Sequence, residues 1–228
     1  MILSHRHRFI FVKTKRTAGT SLEIALSALC GPEDVITPIT APDEADRRRL
    51  GYRGPQNLRP PPRSPGRRLV DLARRRKAPR FRNHMPAARI RALLPRSTWD
   101  TYFKFCFDRN PWDRAISLYY WLGGQRRFDS IADFLRSGVE RPLSNFDRYA
   151  IDGRVAVDRV FRYEDMEEAL GQISRRLDLA RPLTLPDQRA KGTSRTDRRP
   201  YRDVLTEEER DLIADLCARE IRLLGYEY

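Results

Sequence analysis

The chain has 228 residues, enough for one domain with a real hydrophobic core, and its apolar and charged shares of 40% and 33% exclude a wholly disordered protein. A formal net charge of +14 points to anionic partners, while the longest uncharged run, the eleven residues Ala115 to Gln125, is too short for a membrane-spanning helix. Cys30, Cys106 and Cys217 are far apart and odd in number, which excludes a disulfide framework or a Cys-x-x-Cys metal pair and fits a reducing cytoplasm.

The N-terminal MILSHRHRFIFV has basic residues and only a short β-type apolar run, so it does not read as a secretory signal. Phe9 to Val12 suits a buried parallel strand and leads into the turn Lys13 to Ser21. Helical spacing follows at Leu22, Ile24, Ala25, Leu26 and Leu29, and Thr20 with Glu23 matches a capping box. Thirteen arginines and Lys77 stand against Asp71 alone between Arg47 and Arg82, with six prolines in the same stretch. This basic excursion, about residues 42–82, predicts an exposed and partly extended insertion, available for peripheral contact with an anionic surface. Everything outside it is nearly neutral.

Further along, Pro86 to Leu94 reads as a helix, Tyr102 to Phe107 as a strand, and Pro111 to Leu122 as a helix capped by Asn110. Ile131 to Leu135 is helical, Val160 to Tyr163 a short strand, Met166 to Leu177 a helix, and Thr206 to Leu224 a long closing helix begun by Thr206 and Glu209. Strands alternating with helices predict a single α/β domain, residues 1–228, with a central parallel sheet flanked by helices. The aromatic helix containing Trp112, Tyr119, Tyr120 and Trp121 is explained by core packing.

In a parallel sheet, anions bind beyond the carboxyl ends of strands, where helices point free N–H groups outward. The first such turn has Lys13, Lys15 and Arg16, Gly19 for close backbone approach, and the Thr20 and Ser21 hydroxyls. GxxxxGK[ST] is absent, because the cations precede the glycine, which removes the main support for ATP hydrolysis. The second turn, Arg109-Asn110-Pro111-Trp112-Asp113-Arg114-Ala115-Ile116-Ser117, offers a forked guanidinium at Arg109 and a hydroxyl at Ser117 for a second anion.

Together the two turns resemble the sulfotransferases that use 3′-phosphoadenosine 5′-phosphosulfate (PAPS), in particular the carbohydrate sulfotransferase-like branch, sulfotransferase family 2. Arg16-Thr17-Ala18-Gly19-Thr20-Ser21 is similar to the family's P-K-T-A-G-T-S, and Arg109 through Ser117 matches R-N-P-x-x-R-x-x-S. The resemblance implies a P-loop nucleotide-hydrolase-like sulfotransferase fold, PAPS as co-substrate and no metal. It assigns the 5′-phosphosulfate to Arg16, Thr17, Ala18, Gly19, Thr20 and Ser21, and the 3′-phosphate to Arg109 and Ser117. The family's lysine is replaced by Arg16, with Lys15 beside it, so either residue is a candidate for the bridging oxygen.

His84, just before the Pro86 helix, is the first candidate base, because related enzymes carry an H-x-x-A segment there and histidine accepts a proton near neutral pH. Glu23 is the second candidate. Lys191, Gly192 and Arg195 lie in a loop similar to the segment that closes over the family's nucleotide. The implied acceptor is a hydroxyl of a carbohydrate, glycan-like compound or small molecule. Two other readings stay open: a P-loop-related kinase or nucleotidase, and a non-enzymatic polyanion or nucleic-acid binder using residues 47–82.

Overall fold

Side chains alternate across a strand, so Phe9 and Phe11 face one way and Ile10 and Val12 the other, and all four are fully buried. The computed structural model describes residues 1–60, 80–139, 143–186 and 195–228. Its main strands are β1 (Ile2–Ser4), β2 (Phe9–Phe11), β3 (Val35–Ile36), β4 (Phe103–Asp108) and, after the hairpin strands β5 (Ala150–Ile151) and β6 (Arg154–Val155), β7 (Arg159–Arg162). They form a five-stranded sheet in the order β3-β1-β2-β4-β7. β2, β4 and β7 run parallel, with Phe9 opposite Phe103, Phe11 opposite Phe105 and Phe107 opposite Phe161.

Helices cover both faces. α1 (Gly19–Ser27) packs Leu22 and Leu26 on the phenylalanine face, and Leu170 and Ile173 of the later helix Met166–Arg176 join them. The opposite face packs Leu3, Ile10 and Cys106 against Ile90, Trp99 and Tyr149. These three come from α3 (Ala87–Leu93), α4 (Arg96–Thr101) and α7 (Phe146–Tyr149). Each fully buried phenylalanine contributes roughly 2 kcal/mol of apolar burial. The two basic turns leave the sheet from the carboxyl ends of the parallel strands β2 and β4.

Four expectations change. β1 runs antiparallel to both β2 and β3, so the sheet is mostly rather than wholly parallel. A three-residue strand shows no periodicity in sequence, and His5 and His7 fall in the turn that joins it to β2. The stretch 42–82 is not extended at its start: α2 (Ala41–Arg49) is a helix, and Arg47 is fully buried with its Nη1 2.9 Å from Glu44. Residues 61–79 of that stretch lie outside the described residues.

The Thr20–Glu23 capping box is absent: α1 begins after a left-handed Ala18 with no side-chain cap. The closing helix is broken into α10 (Glu207–Leu216) and α11 (Ala218–Leu224) at Cys217, while its Thr206–Glu209 capping box is present. The break follows from burial. Cys217 accepts from the interior Arg114 at 3.3 Å, and the change of direction swings Glu220 inward to the same guanidinium at 3.2 Å.

Candidate active site

The first turn starts where β2 runs on beside β4, with the Val12 N–H donating to the Phe105 carbonyl at 2.9 Å. Thr14 Oγ1 donates to the Phe107 carbonyl and pairs with Thr17 Oγ1 at 2.8 Å, which ties the turn to the neighbouring strand. Arg16 and Ala18 then take positive φ, 61° and 53°. Turns of this kind curl backbone N–H groups toward a common anion position at a helix start. Gly19 is required by packing: a Cβ there would stand 2.7 Å from Lys13 Cγ.

Lys13 is 2% exposed, and its Nζ donates to Thr20 Oγ1 at 3.3 Å and to Glu23 Oε2 at 2.5 Å. Glu23 also accepts from the Met1 amine and, at 3.1 Å, from Thr37 Oγ1. Burial works to raise the Glu23 pKa, but the Met1 ammonium and Lys13 outweigh it and hold the carboxyl down at about 2. Glu23 is therefore a counter-ion in this site, and a poor proton acceptor.

Asn110 caps α5 (Pro111–Trp121) as the sequence predicts, accepting from the Trp112 and Asp113 N–H groups at 3.1 and 3.3 Å, with Pro111 in the first turn. Arg109 Nε donates to Asp113 at 2.8 Å, its guanidinium lies 4.5 Å over the Tyr163 ring, and Nη1 donates to the Arg16 carbonyl at 3.4 Å. Arg16 in turn directs Nε and Nη2 to Ser117 Oγ at 3.0 and 2.8 Å and lies 5.4 Å over Trp121. The two turns thus meet. Burial first, and the Arg109 charge second, lower the Arg16 pKa to about 10, which leaves it a cation at neutral pH.

Arg195 arrives from the C-terminal side and donates to Asp113 at 2.6 Å, so Asp113 is shared by Arg109 and Arg195. Lys191 and Gly192 lie outside the described residues. Trp112 and Tyr119 are core residues at 4% and 8% exposure, whereas Trp121 is 46% exposed under Arg16 and departs from the core-packing expectation.

His84 sits at φ 54° just before α3, and its carbonyl accepts from Arg148 Nη1 at 2.7 Å. Its Nδ1 is buried and has no hydrogen-bond partner among the described residues. Burial, then the Lys13 and Arg148 charges, lower its pKa to about 3, so the ring is neutral and disfavours protonation in the ligand-free chain.

Sequence reasoning missed the buried frame behind the turns. Asn145 Oδ1 accepts from the Lys15 N–H at 3.0 Å, while its Nδ2 donates to the Lys15 carbonyl at 3.1 Å and to Asp108 at 3.0 Å. Asp108 also accepts from Tyr149 at 2.9 Å and pairs with Arg114. Lys15 itself is half-buried, and burial followed by the Arg148 charge lowers its amine to about 8. No spacing in the sequence links residue 145 to residue 15. Among the described residues, no group of three His, Cys, Asp or Glu side chains is placed to hold a metal ion.

A mostly parallel sheet with two basic turns in contact at its strand ends is an arrangement suited to binding anions where the following helices start. The sequence profile described as the sulfotransferase family matches residues 1–227, and the chain belongs to that family. A protein of Archaeoglobus fulgidus described as uncharacterized is 33% identical over 107 residues, covering 43% of this chain and 87% of that one. Two solved structures are similar at low identity. Mouse sulfotransferase SULT7A1 complexed with PAP is 14% identical over 96% of this chain and 86% of its own, with a TM-score of 0.45. Retinol dehydratase in complex with androsterone and inactive cofactor PAP is 15% identical over 99% and 84%, with a TM-score of 0.41.

Proposed function

We propose that this sulfotransferase takes PAPS as its donor and moves the sulfuryl group to a hydroxyl of a carbohydrate, another glycan-like acceptor or a small molecule. The observation that carries the reading is the contact between the turns. Arg16 donates to Ser117 while Arg109 donates to the Arg16 carbonyl, so one continuous surface serves both anion positions. Arg109 and Ser117, with Arg16 between the turns, would hold the 3′-phosphate. The Thr17, Ala18 and Gly19 backbone and the Thr20 and Ser21 hydroxyls would hold the 5′-phosphosulfate. This set of cations, hydroxyls and helix-start N–H groups fits a bisphosphate. Arg195 shares Asp113 with Arg109 and would add a further cation to this surface.

The donor supplies an activated sulfur–oxygen bond. Lys15 and Arg16 add positive charge beside the leaving bisphosphate, and His84 takes the acceptor proton. Burial is the first cause of the His84 depression and the Lys13 charge the second; an anion bound next to Lys13 would offset only the second, which makes the ring a better base once the donor is present. Three free, buried cysteines support a reducing cytoplasm, and no described helix is long and apolar enough to cross a membrane. Family membership favours this reading over a kinase or nucleotidase and over a simple polyanion binder.

Calorimetry with 3′-phosphoadenosine 5′-phosphate (PAP), ATP and heparin tests it on wild type, Arg109→Ala, Ser117→Ala and His84→Ala. The expected result is preference for PAP, weakened roughly tenfold to a hundredfold by Arg109→Ala. His84→Ala should retain PAP binding and lose transfer. Equal binding of ATP, unaffected by Arg109→Ala, refutes the 3′-phosphate assignment.

A further inference from the structure

The donor turn and the candidate base hang from one short element. Phe146 and Tyr149 of α7 pack into the core that also holds Met85, Ala87 and Ile90 around the start of α3. At the head of α7, Asn145 takes both peptide groups of Lys15, the N–H at 3.0 Å and the carbonyl at 3.1 Å. Three residues on, Arg148 Nη1 donates to the His84 carbonyl at 2.7 Å. The His84 N–H donates to Asn83 Oδ1 at 3.0 Å, so both of its peptide groups are held by side chains.

His84 needs that hold. Its φ of 54° is a left-handed conformation that residues with a Cβ seldom adopt, and such a conformation persists where neighbours fix it. The same dihedral sets the direction of Cβ, and with it the direction of the imidazole. Arg148 Nε and His84 Nδ1 are both buried without a hydrogen-bond partner among the described residues. Unpaired buried groups cost stability, and native folds keep them chiefly where function requires.

We propose that Arg148 is a positioning residue for His84: from the helix whose Asn145 grips the donor turn, it holds the His84 peptide and so fixes the imidazole relative to the bound donor. The proposal rests on the reading above, in which PAPS is the donor and His84 the base. As the acceptor oxygen bonds to sulfur, its proton passes to His84, and the sulfur–oxygen bond to the bisphosphate breaks with its electron pair staying on the phosphate. Arg148 touches none of these atoms and keeps its own protons. The charged groups that face His84 are Lys13, Arg148 and the Met1 amine, which disfavour protonation of the ring, and Glu23, which favours it. Loss of the Arg148 charge by itself would therefore make the ring a better base. A fall in rate on removing Arg148 reads the lost grip on the carbonyl, not the lost charge.

Full-length wild type, R148M, R148K, H84A and R148M/H84A are compared by thermal melting, by PAP calorimetry, and by single-turnover conversion of PAPS and water to PAP and inorganic sulfate between pH 4 and 9. R148M is expected to bind PAP within about threefold of wild type and to convert PAPS roughly tenfold to a hundredfold more slowly. The acid limb of its rate profile should move to higher pH, a change that a merely structural role would not produce. R148K, which keeps the charge and a donor for the carbonyl, should recover most of the rate. R148M/H84A should be no slower than H84A, because Arg148 acts through the imidazole. An R148M rate equal to wild type, effects of R148M and H84A that multiply, or a loss of PAP affinity as large as the loss of rate each overturn the proposal and leave the donor reading intact. H84A at the wild-type rate overturns the base assignment and the proposal with it, and a wild type that neither binds PAP nor releases sulfate overturns the donor reading. If R148M does not fold, Arg148→Gln, which is too short to reach the carbonyl but keeps a polar end, takes its place: slow conversion with PAP binding retained supports the proposal, and a wild-type rate overturns it.

Discussion

Replacing Asn145 by alanine removes three side-chain hydrogen bonds at once: from the Lys15 N–H at 3.0 Å, to the Lys15 carbonyl at 3.1 Å, and to Asp108 at 3.0 Å. The backbone N–H of residue 145 keeps its bond to Glu220 at 2.8 Å, and Asp108 keeps Arg114 and Tyr149, so the cost falls on the Lys15 peptide. An unpaired buried peptide group costs about 1–3 kcal/mol, and Lys15 is only half-buried, so the two groups together should cost ~2–4 kcal/mol. For a chain of this size that is a fall of about 5–15 °C in melting temperature. The donor turn loses its clamp in the same change, so PAP affinity should fall by roughly tenfold. Asn145→Asp should be worse than Asn145→Ala, because it sets a second carboxylate 3.0 Å from Asp108. Melting curves and PAP titrations of both variants decide the matter. An alanine variant that melts within about 2 °C of wild type, with unchanged PAP affinity, refutes the clamp.

Gly19→Ala forces a Cβ to 2.7 Å from Lys13 Cγ while Glu23 pins the far end of that lysine, and should cost ~1–3 kcal/mol with a larger loss of transfer than of PAP binding; unfolding curves and single-turnover rates measure the two. The Glu23 carboxyl is depressed from 4.5 to about 2 in the folded chain, so its contribution, of order 3 kcal/mol, is complete above pH 4.5 and is lost as pH falls toward 2. Denaturant unfolding between pH 6 and 2 should show that step, and Glu23→Gln should flatten it by roughly that amount. Thr206→Ala removes the cap that accepts from Glu209 N–H at 3.2 Å and should cost about 1 kcal/mol with PAP binding unchanged, as read by melting and calorimetry.

The elements of this fold that run long enough to show a period are legible in the sequence. Pro111–Trp121 and Met166–Arg176 lie within a residue of where their apolar spacing and caps put them. What escapes has a common physical cause, which is dependence on partners distant in the chain. Ile2–Ser4 is a strand because Phe9–Phe11 and Val35–Ile36 pair with it, and three residues alone carry no signal. Thr20 and Glu23 have the spacing of a capping box, but Lys13 and the Met1 amine compete for the carboxylate and win, since a buried charge must be paired. The interior arginine at position 47 belongs to a stretch whose composition reads as solvent-exposed throughout.

The second motif makes the same point at the site itself. Arg109 and Arg114 are identical in side chain and five positions apart, and both belong to R-N-P-x-x-R-x-x-S, yet they do different work. Arg114 is 1% exposed and held by Asp108 and Glu220, two carboxylates from the end of β4 and from α11. An arginine so paired braces the strand end against the closing helix and has no fork to offer a ligand. Arg109, at 16% exposure, meets the Arg16 carbonyl of the first turn and shares Asp113 with Arg195. In the proposed PAPS reading, the 3′-phosphate would compete with Asp113 for this guanidinium. Motif spacing fixes which residues ride on the helix start, but only the placement of residues 108 and 220 decides which arginine is structural and which is free to bind.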